Sequence, residues 1–298
     1  MPMKRKKSTS QVVRSVFTVV FLLLFVSSGI MLVVNLTAKR KGEKIYTELQ
    51  DTFYSSGFTH KNLAQKITFR EDNGIYYVDE LPETAENTVD GEEDSTSESA
   101  EEDESLKQIR DGLASLREIN DDVYGWIFVE NTDINYPIVK GEDNDFYLNH
   151  AYDGTYLTIG SIFADYRCED SISENLNTVL YGHNLLTGGS DMFHDVEMFL
   201  EQEFFDSTYI YIYTFDGIYV YKPFSIYQAR YDFNYFKVDF DSEEAFGAFL
   251  TAAVENSRHD CDVTFEPGDR ILTLSTCTNI EYFTRYALHA KLIYRTEE

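Results

Sequence analysis

The sequence predicts a mostly β fold: about eight strands forming a barrel or sandwich with peripheral helices, preceded by a single transmembrane helix. Three observations carry this expectation. Eight β-branched and aromatic runs lie between residues 123 and 294, punctuated by turn residues. Tyr and Phe number 22 each in 298 residues, an aromatic load suited to pleated, half-buried surfaces. From Ser15 to Ala38 no residue is charged.

The uncharged segment comes first in the chain. Val16–Val34 is almost wholly apolar, and a helix over 16–36, rising about 1.5 Å per residue, spans a hydrocarbon core of about 30 Å. A backbone in lipid must satisfy its own hydrogen bonds, which makes the segment helical. A cleaved signal peptide is the competing reading, because basic residues precede the run and Ser27-Ser28-Gly29 are small. The run continues past them without an A-x-A-like site, which favours an anchor. Five basic residues lie before it and four after (Lys39, Arg40, Lys41, Lys44). That slight bias makes residues 1–15 a cytoplasmic tail and places the rest outside the cell.

Residues 37–104 read as an extracellular stalk. Ile45, Leu49 and Phe53 repeat every four residues, as in a helix. Asn73-Gly74, between Ile67-Thr68-Phe69 and Ile75-Tyr76-Tyr77-Val78, suits a two-residue hairpin turn. Residues 79–104 hold thirteen acids and no base, and too little apolar surface to offset chain entropy. They are expected to be a disordered, self-repelling spacer that holds the folded part away from the membrane. A calcium-binding tract is the other use of such acidity, but no ordered ligand loop is visible. Leu81-Pro82-Glu83-Thr84-Ala85 is, on its own, a linker fragment.

The folded part is expected over 105–298. Leu106, Ile109, Leu113, Leu116 and Ile119 fall on one face of a helix over 106–119, with Ser105 as a possible N-cap. Strands are expected at Val123–Val129, Ile134–Val139, Tyr156–Phe163, Thr178–Tyr181, Ile210–Thr214, Ile218–Tyr227, Ile271–Ser275 and Tyr286–Tyr294. A further helix is expected over 243–255, with Ser242 as cap and Phe246, Phe249, Leu250, Ala253 and Val254 on one face.

The formal net charge of −27 argues against nucleic-acid binding, which needs a basic footprint, and against docking of the folded part on anionic lipid. Three cysteines leave at least one thiol free: Cys168 and Cys261 are read as buried thiols, with a disulfide between them as the alternative. Cys277 closes the run Ile271–Cys277, and Arg285 opens the next strand eight residues later. If the two strands are antiparallel neighbours, thiol and guanidinium face each other near one rim. A thiolate gains reactivity from a positive neighbour and an oxyanion needs a donor, so Arg285 suits both tasks. Spacing alone equally allows a buried Cys ending a strand and a surface Arg. His183, at the end of Thr178-Val179-Leu180-Tyr181-Gly182-His183-Asn184, is well placed for proton transfer. His60, His150, His194, His259 and His289 read as solvated or hydrogen-bonded structural residues. No metal-ligand spacing is seen, and no cofactor is implied.

Thr273-Leu274-Ser275-Thr276-Cys277, then Arg285-Tyr286 leading to Ala290-Lys291-Leu292, resembles the nucleophile and arginine strands of sortases. Asn177–Asn184 followed by Asp191-Met192-Phe193 resembles the histidine segment in its class B form. Val123–Ile127, Asn135–Val139, Asp145–Leu148 and Gly160–Asp165 are similar to that class as well, as is the long connection bearing the 243–255 helix. The resemblance covers about residues 105–298. It implies an eight-stranded sortase-type β-barrel and a membrane-anchored cysteine transpeptidase of Gram-positive bacteria, cleaving a C-terminal sorting signal after Thr through a thioacyl-enzyme. It further implies Cys277 as nucleophile, His183 as general acid/base and Arg285 as oxyanion and substrate stabiliser. Ser275, Thr276 and Asn184 are expected near the substrate. The implied partners are surface proteins or pilins bearing a sorting signal, a peptidoglycan precursor or pilin lysine as acyl acceptor, and the lipid bilayer. Class B members often accept Asn-Pro-x-Thr signals, with Ser-Pro or Pro-Pro variants in others. Leu81–Ala85 resembles the sorting signal of another sortase class, but lacks the hydrophobic tail and basic end that should follow.

Overall fold

The computed structural model describes residues 9–64, 67–72, 75–80, 97–184, 192–230, 233–278 and 284–296. Two compact units result, Met1–Lys44 and Ile45–Glu298. The first carries most of helix α1 (Thr9–Tyr54), whose apolar residues are long enough to cross a membrane. Their side chains lie open, Phe17 at 71% and Phe25 at 69% exposure.

The second unit is a closed barrel with strand order β10-β8-β7-β3-β4-β5-β6-β9. Its strands are β3 (Val123–Val129), β4 (Asn135–Val139), β5 (Ile162–Ala164), β6 (Asn177–Tyr181), β7 (Ile210–Tyr213), β8 (Ile218–Arg230), β9 (Ile271–Cys277) and β10 (Thr284–Arg295). They correspond one to one with the eight expected runs. The core is apolar on both faces of the sheet (Trp126, Ile138, Phe163, Val179, Leu274 and Leu288 are all but fully buried), with a polar knot on the outer face that residues 243–256 cover, where Phe249 abuts His289. There His289 takes up the Tyr227 hydroxyl (2.9 Å) and Thr273 Oγ1 (2.8 Å), and Thr273 donates on to Asn177 (2.7 Å). Burial pushes the His289 imidazole down to about 3, so it stays neutral and hydrogen-bonded, a structural residue.

Helix α5 (Glu243–Asn256), which follows the short helix α4 (Gln202–Ser207), is the expected second helix, capped by Ser242 through the Ala245 N–H (3.2 Å) and buried through Phe246, Leu250 and Ala253. Three expectations are corrected. Strand Tyr156–Phe163 shrinks to β5, because Leu157 and Ile159 alternate inward as in a strand but sit in a turn that ends at Gly160 (φ +59°). Helix α3 (Ser97–Arg117) begins well before Ser105, so residues 97–104 are helical rather than part of a disordered spacer. Glu is a good helix former, and acids near an N-terminus favour the helix dipole. Its buried face is Ile109, Leu113 and Leu116, while Ile119 lies beyond its end.

The third correction concerns the stalk. Residues 45–64, including helix α2 (His60–Ala64), belong to the barrel unit. Phe53 lies flat on Trp126 (ring centroids 4.3 Å apart), and the Tyr46 hydroxyl donates to the Gly160 carbonyl (2.6 Å). Asn135 Oδ1 gathers Tyr54 (2.8 Å) and the Trp126 indole (2.7 Å). The four-residue apolar repeat thus marks a helix face that needs a partner, and the β3–β7 wall supplies it. β1 (Ile67–Asp72) and β2 (Ile75–Glu80) form the expected hairpin with Asp72 opposite Ile75, and Phe69 packs on Tyr209. The Asn73-Gly74 turn and Leu81–Ala85 lie outside the described residues. Strand β2 before the remaining acidic segment and α3 after it both belong to the barrel unit, so that segment does not connect the long apolar helix to the barrel.

Phe53→Ala is expected to cost about 3–5 kcal/mol of stability in chemical denaturation, the range for losing a buried ring. A free stalk would leave the midpoint unmoved.

Candidate active site

Two pairings build one rim of the barrel. β6 and β9 run parallel, with Tyr181 opposite Ser275, so both strands leave the sheet at the same end. β10 returns antiparallel to β9, with Arg285 directly opposite Cys277. Cys277, Arg285 and His183, two residues beyond β6, therefore arrive at one rim from three adjacent strands. Burial separates them from their neighbours. Ser275, Thr276, Thr278, Thr284 and Asn184 are buried, whereas Cys277, His183 and Arg285 are half-exposed. A nucleophile, a proton carrier and a cation are thus the groups the rim offers to solvent.

His183 Nε2 lies 2.6 Å from the Leu148 carbonyl oxygen. A carbonyl only accepts, so Nε2 carries the proton and Nδ1 is the nitrogen left for exchange. Gly160 makes room for this contact, because a Cβ there would come within 2.7 Å of the same carbonyl oxygen. On the other side, Thr276 Oγ1 donates to the Gly182 carbonyl (2.8 Å) and the Gly182 N–H to the Ser275 carbonyl (3.2 Å). The Phe193 ring fills the space that a Cβ on Gly182 would take.

The three residues expected beside the substrate are otherwise engaged. The Ser275 hydroxyl bonds the Tyr235 hydroxyl (2.9 Å), Thr276 is spent on Gly182, and the Asn184 amide bonds the Cys277 carbonyl (2.9 Å). All three are buried, so they support the rim from within rather than line its open side. Sequence reading missed Tyr235. It lies in the β8–α5 connection, and its hydroxyl is pushed up by burial, partly offset by the Ser275 bond and the Arg285 charge, with Cys277 acting upward. No local pattern announces such a contact across 40 residues.

A second missed group is Asp165, which follows β5 and is fully buried. Its carboxylate accepts from Arg167 Nε (2.8 Å) and Nη2 (2.7 Å), from the Tyr181 hydroxyl (2.8 Å) and from Asn144 Nδ2 (3.0 Å). Arg167 Nη2 reaches on to the Phe236 carbonyl (3.2 Å). One carboxylate thus joins the chain leading to Leu148, the strand leading to His183 and the connection carrying Tyr235. Burial raises its affinity for protons, but the Arg167 bonds, with Tyr181, outweigh that and hold it below the usual carboxylate range.

The other histidines are hydrogen-bonded: His60 to Tyr213, His150 to the Phe146 carbonyl, His194 to Asn184 and His259 to the Phe199 carbonyl. Cys168 and Cys261 are not joined in a disulfide, and Cys168 is buried, its thiol pushed up to about 11 by desolvation. Among the described residues no cluster of three or more His, Cys, Asp or Glu side chains could hold a metal ion.

Comparison with known proteins gives a consistent result. The sortase domain family matches residues 127–293. Sortase B of Staphylococcus aureus (strain NCTC 8325 / PS 47) is 36% identical over 192 residues, covering 63% of this chain and 77% of that protein. The crystal structure of sortase B from B. anthracis in complex with AAEK2 superposes with a TM-score of 0.62 at 30% identity, over 86% of this chain and 98% of that one. A sortase B–substrate complex from Staphylococcus aureus gives 0.58 at 33% identity, over 66% of this chain and 96% of that one.

Asp165→Asn is expected to cost about 2 kcal/mol near neutral pH, the scale of hydrogen bonds to a charged group. The carboxyl is more acidic folded than unfolded, so its contribution is complete above the ordinary value of 3.8 and fades as pH falls through the lower folded one. Denaturation curves of wild type and variant should therefore converge only below about pH 4.

Proposed function

The chain belongs to the sortase family and is a cysteine transpeptidase of the sortase B kind; from that premise we infer that it cleaves a sorting signal after Thr and transfers the acyl group to an amine at the cell surface. The observation that carries this reading is the register that sets Cys277 against Arg285 while the parallel neighbour β6 delivers His183 to the same rim. In the first half-reaction Cys277, its thiol proton held on His183 Nδ1, attacks the threonyl carbonyl carbon as the thiolate. The amide C–N bond breaks, and the departing amine takes a proton from His183 Nδ1. In the second, an incoming amine attacks the thioester and gives its proton to the same nitrogen, and the C–S bond breaks to restore the thiolate. Arg285 neutralises the oxyanion of each tetrahedral intermediate. Ser275 and Thr276 hold the strand behind the nucleophile.

The N-terminal apolar helix over 16–36 anchors the enzyme in the cell membrane, with residues 1–15 inside and the barrel unit outside. The acyl donor is a surface protein or pilin bearing the signal. The acceptor is an amine of a peptidoglycan precursor or a pilin lysine.

The test is a peptide panel covering Asn-Pro-x-Thr, Ser-Pro-x-Thr and Pro-Pro-x-Thr signals, followed by mass spectrometry with and without an added amine such as triglycine. Ligated product rising at the expense of free acid supports transfer; partitioning that ignores the amine leaves a thiol hydrolase instead. Cys277→Ala should abolish cleavage, by about 10⁴-fold or more. Arg285→Ala should lower kcat by about 10²–10³-fold, the scale of losing one oxyanion donor.

A further inference from the structure

Behind the reacting side chains lies a polar cluster that the mechanism above does not use. Asn184 follows His183 and is 4% exposed. Its Nδ2 donates to the Cys277 carbonyl oxygen (2.9 Å) and to Glu197 Oε1 (2.5 Å), while its Oδ1 faces His194 Nδ1 (2.7 Å). The orientation of this amide is forced. Reversing it would point an oxygen at two oxygen acceptors, so Nδ2 must face Cys277 and Glu197, and His194 must carry its proton on Nδ1.

The place of the contact explains its use. The Gly182 N–H donates to the Ser275 carbonyl, as a parallel ladder requires. Two residues on, the same ladder would bring the N–H of residue 184 to the Cys277 carbonyl, but β6 has already left the sheet at Tyr181. The Asn184 side chain supplies the donor in its place. The segment returning from beyond His183 is fastened to the same point. The Phe193 N–H donates to the His183 carbonyl (2.9 Å), and Met192 forms a bridge with Asn184. Met192 is fully buried at φ +56°, a left-handed conformation that costs a non-glycine residue energy and persists only where surroundings impose it.

We propose that Asn184, held in one orientation by His194 and Glu197, is a positioning residue that locks the Cys277 main chain to the His183 segment and thereby sets the alignment of thiol and imidazole. This rests on the reading that Cys277 and His183 carry the reaction. Glu197 and His194 act through Asn184, and among the described residues neither is hydrogen-bonded to the Cys277 or His183 side chain. Misplacing a catalytic group by about 1 Å costs on the order of 10²-fold in rate, which bounds the effect.

The experiment is steady-state cleavage by the full-length chain in detergent, using the best quenched-fluorescent peptide from the panel above, with thermal unfolding as a check on folding. Asn184→Ala is expected to lower kcat about 10- to 100-fold with KM changed less than about twofold. Glu197→Ala should lose about 5- to 10-fold in kcat, and Glu197→Gln, whose amide oxygen still accepts from Nδ2, should recover most of that loss. A rise in KM at unchanged kcat in Asn184→Ala would make Asn184 a substrate contact and overturn the proposal. So would Glu197→Ala turning over like wild type. Should Asn184→Ala fail to fold, the Glu197 pair decides, because that side chain is only half-buried. Wild type that cleaves no peptide, or Cys277→Ala that still cleaves, sinks the underlying reading instead.

Discussion

Everything at the reactive rim depends on β6 running parallel to β9. An antiparallel neighbour would carry the residues after Tyr181 to the opposite end of the barrel, and no loop of ordinary length would return His183 to Cys277. A parallel pair cannot be joined by a tight turn, so the chain needs a long crossover between Tyr181 and Ile271. That crossover contains β7, β8 and α5, and the connection that carries Tyr235. The hairpin of β9 and β10 completes the arrangement more simply, since antiparallel register alone sets Arg285 against Cys277. Two of the three groups proposed to react are therefore a local matter, and the third depends on the long crossover.

This division tracks what could be read from the sequence. Cys277 and Arg285 were legible because a strand, a short connection and a second strand fix their juxtaposition with no knowledge of the rest. His183 was legible only as a histidine at a strand end, and its partners in space had to come from the resemblance or the fold. The eight strands were visible because β-branched and aromatic runs are dense. Residues 156–161 misled because Leu157 and Ile159 alternate inward while the chain turns. Ser275 and Thr276 flank Cys277 and Asn184 follows His183, and the resemblance implies all three near the substrate. Their burial and their bonds to Tyr235, Gly182 and the Cys277 carbonyl are long-range facts with no local signature. The same holds for Asp165, whose donors span residues 144 to 181, and for Leu148, which contributes a main-chain oxygen that any residue would present.

Buried polar groups of the barrel unit serve two different ends. His289 sits in the core with both ring nitrogens occupied and is kept neutral, which makes it inert packing with specified directions. Asp165 and Asn184 lie at the rim and are surrounded by donors and acceptors from several segments, so they convert separate loops into one body. A half-satisfied network would be worse than an apolar one. The cluster around Cys277 is well supplied with partners while Cys277, His183 and Arg285 are left half-open, so stiffness and accessibility fall to different residues.

The acidic segment after β2 acquires another meaning from its two flanks. A tether lies in series with what it holds, and its length sets the reach. Along the chain this segment runs from β2 to α3, both in the barrel unit, so in covalent terms it lies in parallel rather than in series. Residues could be added to it or removed without changing the covalent path from Ala38 to Tyr46, the first barrel-unit side chain to be buried. Its negative charge is likewise bound to the barrel at both ends and travels with it. That charge therefore belongs covalently to the barrel unit and not to the connection from the apolar helix.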